Sequence, residues 1–377
     1  MKKYKILLAG LGLMAYNANA QISVGFHRFK DGAEYTGELK GSRPNGYGKT
    51  VFRNGDSYEG NYVKGKRQGN GAFFFKDGEK YIGEWANDMQ HGKGIYYFMN
   101  NNQYDGMWCN DYQEGQGTMY YYNGDIYTGQ WSKDMRNGNG KYTWKGGATY
   151  EGEWKNDLKH GKGTMTWQDG SKYEGEWENG FRHGNGTFDF INGDKYTGQW
   201  INDMLHGKGV YYFQNGEKYE GSYEEGKRTG YGLYTYPSGD SYQGEFNDGW
   251  QNGTGTFKWA NGAIYEGEWL RNQRSGKGTY KWANGDTYTG QWKNDMAEGK
   301  GKLTTSTEIY ESDFYAAGKI NGKVIITDRK TGHTIEGSFK EGKRDGLFVE
   351  KDANKKNIKT TEYRNGLIIK ETCNNKN

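Results

Sequence analysis

The chain has 377 residues with a formal net charge of +4, and it contains 63 glycines, only 2 prolines and 16% aromatic residues. The aromatic side chains argue against a disordered chain, because each can bury roughly 150–250 Å² of surface. The small net charge argues against a nucleic-acid partner, which needs a clustered basic surface. Cys109 and Cys373 are the only cysteines, too few for a disulfide framework.

The first twenty residues have the three parts of a secretory signal peptide. Lysines at the start are followed by the apolar run Ile6–Ala15 and then by Ala18-Asn19-Ala20. The apolar run is about half as long as a transmembrane helix requires. We therefore predict cleavage after Ala20 and export of the mature chain to the periplasm, the outer surface or the medium. Residues 21–34 are then expected to form an N-terminal lead-in or cap.

From residue 35 to residue 301 the sequence repeats every 23 residues, twelve times in register. Position 1 of each repeat is Tyr, and positions 3, 12 and 14 are Gly; position 5 is aromatic in eleven repeats. In one repeat these structural residues are Tyr150, Gly152, Trp154, Gly161 and Gly163. Such a fixed period predicts an array of identical structural units rather than one globular domain.

The alternation Tyr-x-Gly-x-Trp has the period of two that is typical of a half-buried β-strand. We predict a second strand after each Gly-x-Gly pair, with large residues alternating as in Met165 and Trp167. Asn-Gly pairs such as Asn192-Gly193 are expected to form tight turns in which both residues have positive φ, and Asn156-Asp157 marks a similar turn. Each repeat is therefore predicted to be a β-hairpin.

A single hairpin is marginally stable in water, so the repeats must stack. The predicted fold is all-β: an elongated array of stacked β-hairpins that forms a twisted antiparallel sheet. The glycines are expected to be sites where a large ring of the adjacent strand lies over bare backbone. We expect no pocket for chemistry in such a sheet.

Beyond residue 301 the pattern decays. Tyr310 and Phe314 keep the aromatic pair without the glycine, whereas Gly337 and Phe339 keep the glycine without the Tyr. We interpret residues 302–377 as degenerate repeats and a C-terminal cap or tail, since a repeat array needs atypical ends. A small separate attachment module is the alternative.

The motif Tyr-x-Gly-x-Trp followed by Gly-x-Gly resembles the MORN repeat, as in Tyr173–Trp177 with Gly184 and Gly186. The resemblance is strong over residues 35–301 and weak over residues 302–366. It implies elongated antiparallel sheets that serve as scaffolds, dimerisation surfaces or membrane-proximal adaptors. Some members carry a catalytic domain, for which this chain has no residues left over, so we predict that it is not an enzyme.

Polar residues recur at fixed repeat positions, which favours structural roles over catalysis. Glu151 and Glu153 are spaced like the two catalytic carboxylates of a glycosidase. Other repeats have Thr and Gln at these positions, however, which favours a row of solvent-exposed polar side chains. Four histidines and four aspartates also form rows, whose members are at least one repeat apart and too distant to share a metal ion. These rows are His91, His160, His183 and His206, and Asp88, Asp111, Asp134 and Asp157. We therefore predict no catalytic residue, no cofactor and no metal site.

Apolar side chains occupy solvent-facing positions in three adjacent early repeats, where later repeats have Thr, Lys or Asp. A contiguous exposed apolar patch usually marks an interface. The candidate partner-binding residues are Phe74, Ile82, Ile95, Tyr97, Met107 and Tyr120. Val210, Tyr212 and Leu233 form a lesser group. Strand packing without a partner is the other interpretation of both groups.

These observations favour an exported, non-enzymatic scaffold or adaptor that binds a protein or a cell-envelope surface, or that forms a homo-oligomer. The alternative is a glycan- or lipid-binding module that uses rows of exposed aromatic rings. Repeated weak contacts would make affinity grow with the number of repeats in the second case.

Overall fold

The structure is a computed structural model that describes residues 22–373, apart from the side chain of Phe314, and the predicted leader lies outside the described residues. These residues form two compact units, 22–158 and 159–373. All 33 regular elements within residues 22–373 are β-strands. The predicted all-β class is confirmed.

The strands of the first unit alternate between seven and nine residues after the first two. They are β1 (Ile22–Arg28), β2 (Glu34–Lys40), β3 (Arg43–Val51), β4 (Ser57–Val63), β5 (Lys66–Phe74), β6 (Lys80–Ala86), β7 (Met89–Tyr97), β8 (Gln103–Cys109), β9 (Tyr112–Tyr120), β10 (Ile126–Ser132), β11 (Met135–Thr143) and β12 (Thr149–Lys155).

The second unit continues this alternation and then becomes less regular. Its strands are β13 (Leu158–Thr166), which begins one residue before the boundary, β14 (Lys172–Glu178), β15 (Phe181–Asp189), β16 (Lys195–Ile201), β17 (Met204–Tyr212), β18 (Lys218–Glu224), β19 (Lys227–Thr235), β20 (Ser241–Asn247), β21 (Trp250–Lys258), β22 (Ile264–Leu270), β23 (Gln273–Lys281), β24 (Thr287–Lys293), β25 (Met296–Thr304), β26 (Glu308–Ala316), β27 (Lys319–Ile320), β28 (Gly322–Asp328), β29 (Thr334–Lys340), β30 (Lys343–Arg344), β31 (Gly346–Lys351), β32 (Asn357–Arg364) and β33 (Leu367–Cys373).

Within each unit, strands that follow one another in the chain pair side by side and antiparallel, except that β28 pairs with β26 beyond the short β27 and β31 pairs with β29 beyond the short β30. β14 and β15 form the hairpin of one repeat, and β15 then pairs with β16 of the next repeat in the same way. The predicted stack of hairpins in an antiparallel sheet is therefore confirmed.

The tyrosine at position 1 is the centre of each repeat. Tyr173 is fully buried, and its hydroxyl donates a 2.9 Å hydrogen bond to the backbone oxygen of Glu176. Its ring covers the backbone of Gly186 on the next strand, where an added Cβ atom would lie 2.5 Å from Cε2 and Cζ of the tyrosine. Gly175 lies directly opposite Gly186, with equally little room for a side chain. The predicted packing of a ring over bare glycine backbone is confirmed.

The aromatic residue at position 5 joins neighbouring repeats on the same face, which we call the tyrosine face. The ring of Tyr173 packs edge-on against Trp177 at 5.1 Å and against Trp200 of the next repeat at 5.4 Å. The indole nitrogen of Trp200 donates a 3.2 Å hydrogen bond to the backbone oxygen of Gly186. Each such pair stabilises the folded state by about 0.5–1.5 kcal/mol beyond the contribution of the surface area that it buries. The aromatic contacts therefore stabilise the packing of each repeat against the next.

The prediction that the second strand follows the glycine pair is wrong. β15 begins three residues before Gly184 and contains both Gly184 and Gly186. Gly184 has a φ of +57°, and the register between β14 and β15 shifts beside it. The first glycine of each pair thus forms a β-bulge, which lets one strand run through it. Gly161 has the same conformation, with a φ of +56°.

The turn geometry also differs from the prediction. At Asn192-Gly193 only the glycine has positive φ, and the Asn192 side chain accepts a hydrogen bond from the amide of Asp194. Trp167, which was expected in the second strand, lies in such a longer turn just after β13. Both residues have positive φ at Asn156-Asp157 instead, which makes that pair the tight turn.

Residues beyond β25 keep the sheet but change the packing. Val324, Ile326 and Phe348 form a small hydrophobic core. The ring of Phe348 covers the backbone of Gly337, as tyrosine covers glycine in the regular repeats. At the other end, β1 pairs with β2 and keeps most of its side chains exposed.

Candidate interaction surfaces

The face of the sheet opposite the tyrosine face, which we call the outer face, carries the predicted apolar residues. Phe74, Tyr97 and Tyr120 lie in one row across β5 to β9, with Lys80 and Gln103 between them. Phe74 and Tyr120 are 42% and 43% exposed. At about 4.8 Å per strand, this row of five strands is about 19 Å long.

The other predicted residues flank this row. Ile82 lies directly opposite Ile95 on the neighbouring strand, and Met107 lies opposite Lys93. Ile82 and Met107 are exposed, whereas Ile95 and Tyr97 are half-buried. The structure thus places all six residues on five consecutive strands of one face.

Sequence reasoning missed one neighbour of this patch. Ile126 is exposed and lies directly opposite Tyr120, so it extends the row by one strand. The sequence indicates this residue, because Ile126 stands at position 23 of its repeat, where the two preceding repeats have the polar residues Lys80 and Gln103. In the second unit, Val210 and Leu233 flank Glu220 on the outer face, and Tyr212 lies one row away.

An arginine clamp on the tyrosine face is the main feature that sequence reasoning missed. The guanidinium of Arg182 stacks over Trp200 of the next repeat, with its central carbon 4.5 Å from the ring centre. Its Nε donates a 2.8 Å hydrogen bond to the carboxylate of Asp203, and Nη2 donates to the backbone oxygen of the same residue. The signal is arginine at position 10 followed by aspartate 21 residues later. The clamp recurs at Arg67 with Asp88, Arg136 with Asp157, and Arg274 with Asp295.

Burial on the tyrosine face changes proton affinities. Desolvation, with a contribution from Glu38, raises the pKa of Tyr35 to about 12, and burial raises the pKa of Tyr173 still further. Lys159 stands at position 10, with its ammonium 3.9 Å over the ring of Trp177, and desolvation lowers its pKa to about 8. The tyrosines recur through the array and Lys159 stands where other repeats have the clamp arginine, so we attribute these shifts to packing.

The polar rows have structural partners. The Glu176 carboxylate accepts a 3.2 Å hydrogen bond from the amide of Asn185 at the bulge, and Gln199 accepts one from Lys208 in the same way. Glutamate and glutamine can both make this contact, which explains their exchange at position 4. Asp88, Asp111, Asp134 and Asp157 all have positive φ and lie in the turn after the first strand of their repeats.

The histidines remain at separate bulges. His183 lies 3.3 Å from Glu178, and His91 lies beside Glu84. Among the residues the structure describes, no three acidic, histidine or cysteine side chains converge to hold a metal ion. Cys109 and Cys373 are both free thiols.

The expectation of a sheet without any pocket is too simple. An open groove of about 880 Å³ runs along the tyrosine face between Arg67 and Arg136. Trp85, Trp108 and Trp131 line it, and Phe75 and Phe98 line it from the turns. Gln90 and Gln113 also line it, at the repeat position that Arg67 and Arg136 occupy at its ends.

The repeat geometry agrees with a family model. The model of the MORN repeat matches twelve consecutive segments from residue 35 to residue 307, and a thirteenth over residues 336–347. The chain is a MORN-repeat protein. No catalytic-domain family matches it. The MORN repeats make this protein a repeat scaffold or binding module.

Other comparisons add little. A search of curated protein sequences finds no significant match. Among solved structures, the TCP domain of SAS-4 of Drosophila melanogaster, in complex with a proline-rich motif of Ana2, is 14% identical, with a TM-score of 0.27, and the alignment covers 41% of this chain and 85% of that one. A mutant TCP10 domain of Danio rerio CPAP is 12% identical, with a TM-score of 0.18 and coverage of 71% and 99%. Virginiamycin B lyase of Staphylococcus aureus is 10% identical, with a TM-score of 0.13 and coverage of 82% and 96%.

The residues that the structure describes include no helix with the length and hydrophobicity needed to cross a lipid bilayer.

Proposed function

We propose that this MORN-repeat protein is an exported, non-enzymatic scaffold that holds a partner protein on the outer face of its first unit. The observation that carries the proposal is the row of Phe74, Tyr97 and Tyr120 on one face of five consecutive strands, in which Phe74 and Tyr120 are exposed and Tyr97 is half-buried. The predicted leader of residues 1–20 supports export.

The chemistry of the row favours a protein partner. Lys80 stacks over the ring of Tyr97 at 4.5 Å, so the row combines aromatic surface with a fixed positive charge. Tyrosine is enriched at protein interfaces because it offers a large apolar ring and a polar tip. At the same repeat position the regular repeats of the second unit have an aromatic residue only at Tyr212, and Thr166, Asp189 and Lys258 are among the polar residues there.

The test is replacement of Tyr97 and Tyr120 by serine. Both side chains lie on the outer face, away from the buried tyrosines, so we expect an unchanged circular dichroism spectrum. We expect loss of the partner in a cross-linking pull-down from native cells. Light scattering of the pure chain shows whether the partner is a second copy, in which case the same variant becomes smaller.

Tyr212→Ser is the matched control, since Tyr212 occupies the same repeat position in the second unit. It should keep the partner. If the Tyr97/Tyr120 variant also keeps both its partners and its size, the outer face of the first unit is not the docking surface.

A glycan- or lipid-binding module is the second candidate, because Tyr97 and Tyr120 are two strands apart and could stack on successive rings of a polymer. Removal of whole repeats separates the candidates. Glycan or lipid affinity should then decline gradually with repeat number, whereas a local protein interface should vanish when residues 58–126 are removed.

A further inference from the structure

The first strand of the array has a free edge. In the part of the chain that the structure describes, β2 is the only strand that pairs with β1. The amide of Phe29 donates to the backbone oxygen of Ala33, and hydrogen-bonded pairs alternate with other pairs along an antiparallel ladder. Every second residue of β1 therefore bonds to β2, and the N–H and C=O groups of Ile22, Val24 and Phe26 point away from it. These groups are available to a further strand.

The same three residues form an exposed apolar surface. Ile22, Val24 and Phe26 are 58%, 80% and 60% exposed, and the register with β2 places all three side chains on the outer face. Natural sheets usually protect an edge strand with charged side chains, but residues 22–26 include none. Unpaired backbone groups beside exposed apolar side chains are typical of a strand that pairs with another chain.

The last strand, β33, is better protected. Leu367, Ile368 and Ile369 are exposed there, but Lys370 and Glu371 follow them directly. The register between β32 and β33 also shifts at a bulge in the middle of the strand. Charged side chains and bulges are two means by which natural proteins keep an edge strand from pairing. The contrast favours β1 as the edge that binds another strand.

We propose that the free edge of β1 binds a second copy of this chain, whose own β1 lies antiparallel to it with Val24 opposite Val24. In this register Ile22 of each copy lies opposite Phe26 of the other. The outward N–H and C=O groups of the three residues then form about six hydrogen bonds between the copies. The two sheets join into one through a two-fold axis at Val24.

The edge is self-complementary, which favours a second copy over an unrelated strand. Val24 is the middle residue of the three and its backbone groups point outward, so a two-fold axis there satisfies the hydrogen bonds and brings apolar side chains together. On the tyrosine face, Ser23 of one copy lies opposite Gly25 of the other, so no large side chains meet. A shift by one residue would lose both the hydrogen bonds and the apolar contacts.

The proposed interface is distinct from the surface of the proposed function. That surface is the row of Phe74, Tyr97 and Tyr120 on β5 to β9, whereas the interface is the edge of β1. A dimer would carry two copies of the row and would therefore bind a partner with repeated sites more tightly than one chain does.

The first test measures the mass of the chain that starts at Gln21, the product of the predicted cleavage, by sedimentation equilibrium. We expect twice the mass of one chain, with a dissociation constant in the micromolar range because the interface is small. Val24→Lys places two ammonium groups opposite each other and should weaken association at least about tenfold. Val63→Lys is the matched control, since Val63 is an exposed outer-face valine on β4, and it should leave association unchanged.

Cysteine cross-linking tests the register. The background is the chain with Cys109 and Cys373 replaced by serine. Val24→Cys should then form a disulfide between two copies under mild oxidation, because directly opposite Cα atoms lie about 5.5 Å apart. Ile22→Cys is the matched control. It should not link to itself, because the two Ile22 positions lie four residues apart along the paired strands, about 13 Å.

The proposal is overturned if the wild-type chain stays a monomer up to about 100 μM, or if Val24→Lys associates as the wild type does. Cross-linking of Ile22→Cys as readily as Val24→Cys also overturns it. Ile368→Lys, at the edge of β33, should leave association unchanged, and loss of the dimer in that variant overturns the proposal as well.

The outer-face variant of Tyr97 and Tyr120 separates this inference from the proposed function. It should remain a dimer while it loses its partner in the pull-down. Loss of the partner in that variant, together with a wild-type chain that is a monomer, would leave the proposed function standing and remove only this inference.

Discussion

Replacement of Gly186 by alanine should disrupt one repeat through a single steric conflict. The new Cβ atom would lie 2.5 Å from two ring atoms of Tyr173, so the ring must move. The displaced tyrosine loses the hydrogen bond from its hydroxyl to Glu176, worth about 1 kcal/mol. It also weakens its edge contacts with Trp177 and Trp200, worth about 0.5–1.5 kcal/mol each. Alanine also stabilises the protein by about 0.4–1 kcal/mol, because it lowers the conformational entropy of the unfolded chain. We therefore expect the free energy of unfolding to fall by about 2–3 kcal/mol.

A double-mutant cycle assigns this loss to the ring. With Tyr173→Val in the background, the alanine no longer meets an aromatic ring, so Gly186→Ala should cost less than about 0.5 kcal/mol. Gly175→Ala is the matched control. Its Cβ atom would also lie 2.5 Å from the Cα of Gly186, so its cost should persist in the valine background.

Urea unfolding followed by tryptophan fluorescence measures these free energies, and amide hydrogen exchange locates the change. Because repeat arrays can unfold in parts, the exchange data should show the loss centred on residues 173–195. An unchanged cost of Gly186→Ala in the valine background would refute the packing of ring over glycine as its cause.

Two further predictions concern the tyrosine face as a whole. Burial raises the pKa of Tyr35 from 10 to about 12 and those of other core tyrosines further, so folded tyrosines stay protonated where unfolded ones ionise. This contribution to the free energy of unfolding is fully present below pH 10, and above pH 10 it falls by at most about 1.4 kcal/mol per pH unit for each tyrosine. Circular dichroism and tyrosinate absorbance should therefore change together in one steep transition. Ionisation of all tyrosines near pH 10 without loss of structure would contradict this. Arg182→Gln should lower the free energy of unfolding by about 1–2 kcal/mol because the stack on Trp200 and the pair with Asp203 are both lost. Lys155→Gln, at an exposed position, should leave urea unfolding unchanged, and equal effects of the two substitutions would exclude the clamp as a stabilising contact.

The 23-residue period was enough to predict the strands, the buried face and the role of the glycines. Tyr150 and Trp154 share a buried face because strand side chains alternate, and this rule needs no tertiary information. The same rule placed Tyr97 and Tyr120 on the opposite face. It could not show that Gly184 continues a strand through a bulge, since bulge and turn glycines look alike in sequence.

The arginine clamp was missed because its members are far apart in the chain. Arg182 meets Asp203 and Trp200 only after two strands have folded back beside each other, so a reading within one repeat cannot connect them. A comparison of position 10 with position 8 of the next repeat would have shown the pairing. It would also have shown that Gln90 and Gln113 are the two cases in which the aspartate is present but the arginine is not.

If one packing unit is repeated along the chain, amide hydrogen exchange of the intact protein should show it directly. Protection should rise and fall with a period of 23 residues from residue 35 to residue 301, slowest at the paired glycine strands and fastest at the two turns of each repeat. Protection confined to a single block of sequence, or a pattern without this period, would contradict the account.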